Sequence, residues 1–238
     1  MTLAGTNTYL VAAGEGCFVI DPGPDDEGHL ERIRLAAAGR GGIAGVLLTH
    51  SHADHSQGVG ALGAPLLLGS VSAASEGEPG DAKVLEGVPD AVGPFTVVPT
   101  PGHAADHVAL VLGDVCFCGD LVLGTGSSFV PPDGGSLAAY MRSLELLRDL
   151  DPALMCPGHG PYIADPRAKL DEYIEHRLDR ERKLLAALDA GERSRAALLD
   201  IAWADVPQQL RPAAAIVMEA HLEKLATEGR APNDLKAP

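Results

Sequence analysis

One short segment of the chain, Thr49-His50-Ser51-His52-Ala53-Asp54-His55, carries three imidazoles and one carboxylate. Neutral imidazole nitrogens and carboxylate oxygens are ligands that Zn²⁺ accepts, as do Fe and Mn. The apolar run 43–48 precedes this segment, and small residues follow it. The pattern predicts a buried strand that ends in a ligand-bearing turn, with a short helix over 56–62 behind it.

Three further residues of the same chemical types each come at the end of an apparent strand. His103 follows Pro101-Gly102, Asp120 follows Gly119, and His159 follows Pro157-Gly158; upstream, Asp21 ends a strand before Pro22-Gly23. A glycine before the side chain lets the backbone turn sharply as it leaves the strand. Ligands held on loop tips above a rigid sheet are a common way to build a site.

The number of candidate ligands indicates two metals. A catalytic zinc takes three or four protein ligands and keeps a position for water, so seven ligands suit a pair of ions that share a carboxylate. Two neighbouring cations lower the pKa of a bridging water to about 7 and hold it as hydroxide. The candidate ligands are His50, His52, Asp54, His55, His103, Asp120 and His159.

The elements that would position these side chains form an α+β pattern. Residues 1–165 alternate short strands with occasional helices, which fits two sheets packed face to face with helices outside, a four-layer αββα sandwich. Pro166 then opens a long charged helix to Asp189, and the remainder is helical apart from breaks. We therefore place a domain boundary near residue 165, with a second, helical domain over 166–238.

The ligand spacing resembles the metallo-β-lactamase superfamily over 5–165. The resemblance implies that His50, His52 and His103 bind one metal, that Asp54, His55 and His159 bind the other, and that Asp120 bridges them. It also implies two Zn²⁺ ions, with Fe or Mn as alternatives, and a supporting role for Asp21 behind the ligands. His107 is a second candidate for such a role. Asp54 is the candidate catalytic residue, since it would both bind metal and orient the hydroxide.

Within the superfamily, an aspartate at 120 is unlike the antibiotic-hydrolysing members that carry cysteine there, and resembles glyoxalase II, lactonases and the RNA-processing branch. The motifs Gly5-Thr6-Asn7-Thr8-Tyr9, 119–124, 157–161 and 173–177 resemble the beta-lactamase-like protein 2 group. That group implies a small C-terminal winged-helix-like domain. Its members usually have a further segment before the first of these motifs, so we expect either a truncated start or a sheet without one edge strand.

The charge and composition of the chain limit the kinds of molecule that it is expected to bind. The formal net charge is −15, and residues 1–165 hold 6 Lys and Arg against 20 Asp and Glu. Such acidity disfavours non-specific binding to phosphate backbones, and the near-neutral C-terminal domain lacks the basic face of a double-stranded DNA binder. No signal peptide and no membrane span is visible, and four scattered cysteines indicate free, buried thiols. We expect a cytoplasmic protein with no membrane partner, and the sequence is compatible with a homodimer.

The sequence favours hydrolysis of a small ester or thioester, because that chemistry needs only the metals and an apolar pocket. A single-strand-specific endoribonuclease is the alternative, although no basic or stacking groove is evident. A metal-dependent regulatory or binding protein is the non-enzymatic alternative; the missing flavodoxin domain disfavours a flavo-diiron-like protein. Tyr162 and the loop 127–135 are candidate pocket residues, whereas Asp133 is expected to be a turn residue. Surface or packing roles are expected for His29, His176 and His221.

Overall fold

The computed structural model describes residues 5–68, 88–232 and 234–235. Its first sheet has the order β1-β2-β3-β4, in which β1 and β2 are antiparallel and the other neighbours are parallel. The strands are β1 (Tyr9–Ala13), β2 (Gly16–Ile20), β3 (Ile43–Leu47) and β4 (Leu66–Leu68).

A second sheet of five strands follows in simple sequence order, antiparallel up to a final parallel pair. These pairings make β6, β8 and β9 run in one direction, so their carboxyl ends lie at one edge of the sheet. Each of the three is followed by a candidate ligand. The strands are β5 (Ala91–Val92), β6 (Phe95–Pro99), β7 (Val108–Leu112), β8 (Val115–Gly119) and β9 (Leu154–Pro157).

The two sheets pack face to face through alternate residues of their strands. Phe18 and Ile20 of β2 point into the space between the sheets, where the Phe18 and Phe95 rings meet edge to face at 5.6 Å. Val19, between them in sequence, points to the opposite face and packs against helix α1. This two-residue alternation is what a strand buried on both faces requires.

Helices cover both outer faces. The helix α1 (Glu27–Ala38) packs Leu30 and Ile33 on the first sheet, and Asp26 caps it by accepting a hydrogen bond from the His29 backbone N–H at 2.7 Å. The second sheet is covered by α4 (Leu137–Leu150) and the first half of α5 (Pro166–Asp189). The αββα sandwich predicted from the strand pattern is therefore confirmed.

One helix prediction is wrong. The continuous helix expected over 56–62 is two single turns, α2 (Ala53–Ser56) and α3 (Val59–Leu62), and the first begins inside the ligand motif. Gly58 separates them, and its N–H donates to the Gly23 carbonyl at 2.9 Å. A Cβ at Gly58 would lie 2.8 Å from Leu30 Cδ2 and 3.2 Å from the Gly23 carbonyl oxygen, so the absence of a side chain favours this close approach. A strand predicted near 83–85 and an acidic loop at 76–80 lie outside the described residues.

In the described part of the chain, three helical segments follow α5: α6 (Arg195–Ala202), a 3₁₀ turn (Gln208–Leu210) and α7 (Arg211–Thr227). They share an apolar core with the second half of α5, around Leu184 and Trp203. The first half of α5 instead buries Tyr173 in the core of the second sheet. Helix α5 thus belongs to both cores, and the division at residue 165 stays a prediction. Within the described ranges, no helix has the length and apolarity needed to cross a membrane.

Candidate metal centre

Three imidazoles converge at the end of β3. His50 Nε2 and His103 Nε2 each lie 3.0 Å from His52 Nδ1, so three ring nitrogens point at one small volume. His50 and His103 are buried, while His52 is exposed. Two of these side chains come from the opening motif of the sequence and the third from the loop after β6. This group can supply the three nitrogen ligands of one metal ion.

A second group lies beside the first. His159 Nε2 is 3.3 Å from Asp54 Oδ2, and His55 Nε2 is 4.0 Å from the same oxygen. Asp120 lies between the two groups: its Oδ1 is 3.5 Å from His55 Nε2, and its Oδ2 is 3.3 Å from His159 Nε2 and 3.8 Å from His103 Nε2. All seven candidate ligands are thus brought together, with Asp120 between the two groups.

Hydrogen bonds to the far side of the rings fix which nitrogen faces the centre. His103 Nδ1 donates to the Phe129 carbonyl at 2.7 Å, and His159 Nδ1 donates to the Gly5 carbonyl at 2.8 Å. A carbonyl can only accept, so the proton sits on Nδ1 and the lone pair of each neutral ring is on Nε2. Both Nε2 atoms are therefore available as ligands.

Asp21 orients the remaining two buried rings. Its buried carboxylate accepts from the Thr49 backbone N–H at 2.8 Å, from Thr49 Oγ1 at 2.7 Å and from His55 Nδ1 at 2.9 Å. Because the Thr49 hydroxyl donates to Asp21, it accepts from His50 Nδ1 at 3.0 Å. His50 and His55 thus also present Nε2 to the centre. This arrangement is what the predicted supporting role requires.

His107, the other predicted supporting residue, is buried against the centre without bonding to it. Its Nδ1 lies 2.8 Å from Thr100 Oγ1, and its ring lies 5.2 Å from that of His50. Among the described residues, neither of its ring nitrogens bonds to a candidate ligand. Burial lowers the pKa of His107 to about 3, so the ring packs as a neutral group.

Burial and neighbouring charges set the protonation of the ligands. Burial, then the neighbouring His55, holds the pKa of His50 well below its ordinary value, which keeps this ring neutral. Burial acts to lower the pKa of His55 too, but the carboxylates of Asp21 and Asp120 outweigh it and raise that pKa to about 10. Contacts with Asp120 and Asp54 raise the pKa of His159 to about 10.

The carboxylates respond in the opposite sense. Burial acts to raise the pKa of Asp120, but its contacts with His159 and His55 outweigh it and hold the pKa far below the usual range. The contact with His159 lowers the pKa of Asp54 as well. Both groups are therefore ionised at neutral pH. A cation that bound here would displace the protons of His55 and His159, since metal ligands must be deprotonated.

The donor set fits a bound metal cation. His55 Nε2 and Asp120 Oδ1 are buried, face one another at 3.5 Å and have no hydrogen-bond partner among the described residues. Unpartnered buried polar atoms are costly unless something binds them. A Cβ at Gly158 would lie 2.3 Å from Asp120 Oδ1, so glycine keeps this space open. The residues present are those that a bound cation needs.

Several groups that position the ligands were not predicted from the sequence. The Asn7 amide donates to the carbonyls of Pro157 and Gly160, and the Tyr9 hydroxyl donates to Pro157, so the first segment braces the His159 loop. Both segments carry recognisable motifs, but nothing in the sequence places residues 150 positions apart in contact.

Other predicted residues lie as follows. Tyr162, three residues after His159 in the sequence, is 64% exposed and packs against Tyr9. Asp133 is exposed and lies outside the metal-binding groups found among the described residues. His29, His176 and His221 also lie outside those groups: His29 hydrogen-bonds Thr8, His176 is half-buried, and His221 is buried against Trp203. The four cysteines are free and buried, as predicted.

Comparison with known proteins agrees with this geometry. The sequence model of the Metallo-beta-lactamase superfamily matches residues 1–66 and 70–159, and that of the Beta-lactamase associated winged helix domain matches residues 194–235. A curated relative, the Beta-lactamase-like protein 2 homolog of Drosophila melanogaster, is 33% identical over 97% of this chain and 85% of its own.

Two further proteins are informative. The Atrochrysone carboxyl ACP thioesterase of Aspergillus chevalieri is 35% identical over 87% of this chain and 68% of its own length. A crystal structure of a metallo-beta-lactamase family protein from Thermus thermophilus superposes with a TM-score of 0.71 at 25% identity, over 94% of this chain and 89% of that one. The chain therefore belongs to the metallo-β-lactamase superfamily and carries that superfamily's associated winged helix domain at its C-terminal end.

Proposed function

We propose that this protein is a dinuclear metal-dependent hydrolase that acts on small ester or thioester substrates. The observation that carries the proposal is the position of Asp120 between two groups of ligands, His50, His52 and His103 on one side and Asp54, His55 and His159 on the other. The superfamily consists generally of hydrolases, and a dinuclear centre is the arrangement that uses all seven side chains.

The solvent exposure of each candidate ligand indicates whether it would act in catalysis or only bind metal. When bound, the two cations would supply a hydroxide at neutral pH and stabilise negative charge on the attacked oxygen. Asp54 keeps 28% of its side chain exposed, so it can reach an attacking water and orient its proton. Asp120 and His55 are buried and would only hold ions. We therefore assign the catalytic role to Asp54 and metal binding to all seven residues.

Surface apolarity beside the centre supports an acyl substrate. Phe129, whose carbonyl anchors His103, leaves 40% of its area exposed, and Tyr162 is also exposed near His159. These are the large exposed aromatic residues of the described chain, in a protein with only 4% aromatics. One relative is named as a thioesterase of an acyl carrier protein. The acidic catalytic region gives single-stranded RNA no comparable support.

We extend the proposal to the surroundings of the protein. Zn²⁺ is the expected metal, with Fe or Mn as alternatives that the same ligands accept. Four free buried thiols support a reducing compartment, and we propose the cytoplasm. A small molecule is the expected partner, rather than a membrane or double-stranded DNA.

The test combines metal analysis with a substrate panel. Protein stripped with a chelator and reloaded with Zn²⁺, Fe²⁺ or Mn²⁺ is assayed on p-nitrophenyl acyl esters, acyl thioesters of N-acetylcysteamine, lactones and single-stranded RNA. We expect metal-dependent hydrolysis of esters or thioesters. The variants His52→Ala and Asp120→Asn should lose activity and bound metal but remain folded, whereas His176→Ala, a histidine outside the centre, should retain both. Full activity of the stripped protein would refute the proposal.

A further inference from the structure

The loop that follows Asp120 is held from its far side by helix α5. The Tyr173 hydroxyl accepts a hydrogen bond from the Leu123 N–H at 3.1 Å and donates to the Gly126 carbonyl at 2.8 Å. One turn later on the same helix face, Arg177 Nη2 donates to Ser127 Oγ at 3.1 Å and to the Ser128 carbonyl. Residues 123–128 are thus bonded to two consecutive turns of α5.

The same loop touches the metal centre on its near side. Ser128 Oγ donates to the Asp120 carbonyl at 2.6 Å, and the next carbonyl, that of Phe129, accepts from His103 Nδ1 at 2.7 Å. Arg177 therefore holds the carbonyl of residue 128, and His103 is oriented by the carbonyl of residue 129. The two carbonyls belong to neighbouring peptide planes that share the Phe129 Cα, so the contact that holds the Ser128 carbonyl also restricts where the Phe129 Cα and the carbonyl that aims His103 can lie.

The setting of Arg177 is unusual for an arginine. The side chain is 3% exposed, its guanidinium lies 5.3 Å from the Tyr140 ring centroid, and it has no ion pair with a carboxylate among the described residues. A buried charge without a carboxylate partner is costly. Its Nη2 instead donates to the loop at 127–128, while its buried Nε has no hydrogen-bond partner among the described residues. The polar contacts of this guanidinium thus indicate that the charge serves the geometry of the loop.

We propose that Arg177 is a positioning residue for the ligand group His50, His52 and His103, acting through the peptide between Ser128 and Phe129 on the orientation of His103. The inference rests on the proposed metal centre. It assigns a role in metal binding to a side chain on α5, the helix that also carries the core of the C-terminal domain.

The same helix offers a matched control. Arg180 is buried to a similar degree, but it faces the C-terminal domain: it pairs with both oxygens of Asp205, at 2.6 and 2.8 Å, donates to the Ala202 carbonyl and lies over the Trp203 ring. Loss of Arg180 should cost stability of the C-terminal domain and leave the metal centre unchanged.

The experiment measures metal binding without substrate. Zn²⁺ affinity is determined by competition with a chromophoric chelator, and the ligand field is read from the absorption spectrum of the Co²⁺-loaded protein. In Arg177→Met we expect one of the two ions to bind roughly 10–100-fold more weakly, as for other groups that orient ligands, with a changed Co²⁺ spectrum. Arg177→Lys, which retains a cationic donor, should recover part of the affinity. Arg180→Met should bind both ions normally.

Normal affinities and an unchanged spectrum in Arg177→Met would overturn the proposal, and so would an equal loss of affinity in Arg180→Met. If Arg177→Met does not fold, Arg177→Lys decides: a normal spectrum and normal affinity there would mean that Arg177 only supports packing. Since no substrate is used, a protein that binds two ions but hydrolyses nothing would refute the proposed function and leave this inference standing.

Discussion

Asp21 provides the sharpest test of how the centre is assembled. The change Asp21→Asn keeps the shape of the side chain but replaces one carboxylate oxygen by an NH₂ donor. The carboxylate accepts three hydrogen bonds, from the Thr49 N–H, the Thr49 hydroxyl and His55 Nδ1. The amide oxygen can retain the Thr49 N–H, which leaves its NH₂ group facing the hydroxyl and the imidazole.

The size of the expected loss of metal affinity depends on whether the Thr49 hydroxyl and His55 can find new hydrogen-bond partners. The Thr49 hydroxyl can turn to accept from the new NH₂, although its own proton then loses the acceptor that Asp21 provided. His55 Nδ1–H is left without an acceptor and has no such alternative. A lost hydrogen bond to a charged group costs roughly 1.5–3 kcal/mol. His55 can avoid this cost by moving its proton to Nε2, but that nitrogen is then unable to bind metal. We expect metal affinity to fall at least 10–100-fold, about 1.4–2.7 kcal/mol.

The assay is chelator competition for affinity, with urea unfolding of the metal-free protein for stability. Glu181→Gln is the matched control, because Glu181 is a buried carboxylate that pairs with Lys224 and Arg230, away from the centre. It should lose stability and keep normal metal affinity. If Asp21→Asn binds both ions as tightly as the parent protein, the argument that this carboxylate sets the tautomer of His55 is wrong.

Two further predictions concern pH and backbone geometry. The pKa values of His55 and His159 are raised to about 10 in the folded protein, so protonation of these two rings stabilises the metal-free fold. This stabilisation is complete below about pH 6.5 and is lost as the pH rises towards 10. Urea unfolding should therefore show falling stability from pH 7 to 10 without metal and a flatter profile with Zn²⁺; identical profiles would contradict the assignment. Gly102→Ala should destabilise the fold by about 1–3 kcal/mol beyond the cost of Gly113→Ala. Both glycines have positive φ, but a Cβ at Gly102 would lie 2.4 Å from the Tyr140 Cα, whereas one at Gly113 meets no described atom within 4 Å. Equal thermal unfolding temperatures of the two variants would argue against that clash.

The sequence predicted the layers of the fold well because they follow from local periodicity. The continuous apolar run from Cys17 to Ile20 in β2, and the apolar spacing of α4, depend only on neighbours in the chain. The bounds Leu137–Leu150 and Pro166–Asp189 match the expectation, the latter because proline opens the helix. The helix over 56–62 failed because its break at Gly58 is caused by contact with Gly23, which no local pattern contains.

The candidate site divides in the same way. The sequence by itself determined which side chains could bind metal, because ligand type is a property of the residue and each ligand comes in a segment that follows a strand. Three of the seven ligands, His103, Asp120 and His159, also directly follow a glycine. Only the tertiary structure decided how they are aimed. The acceptors that orient His159 and His103 lie 154 and 26 residues away, and the arginine that holds the loop at 127–128 lies about 50 residues beyond it. Backbone carbonyls carry no sequence signature, so their role becomes visible only when the fold brings them to the rings.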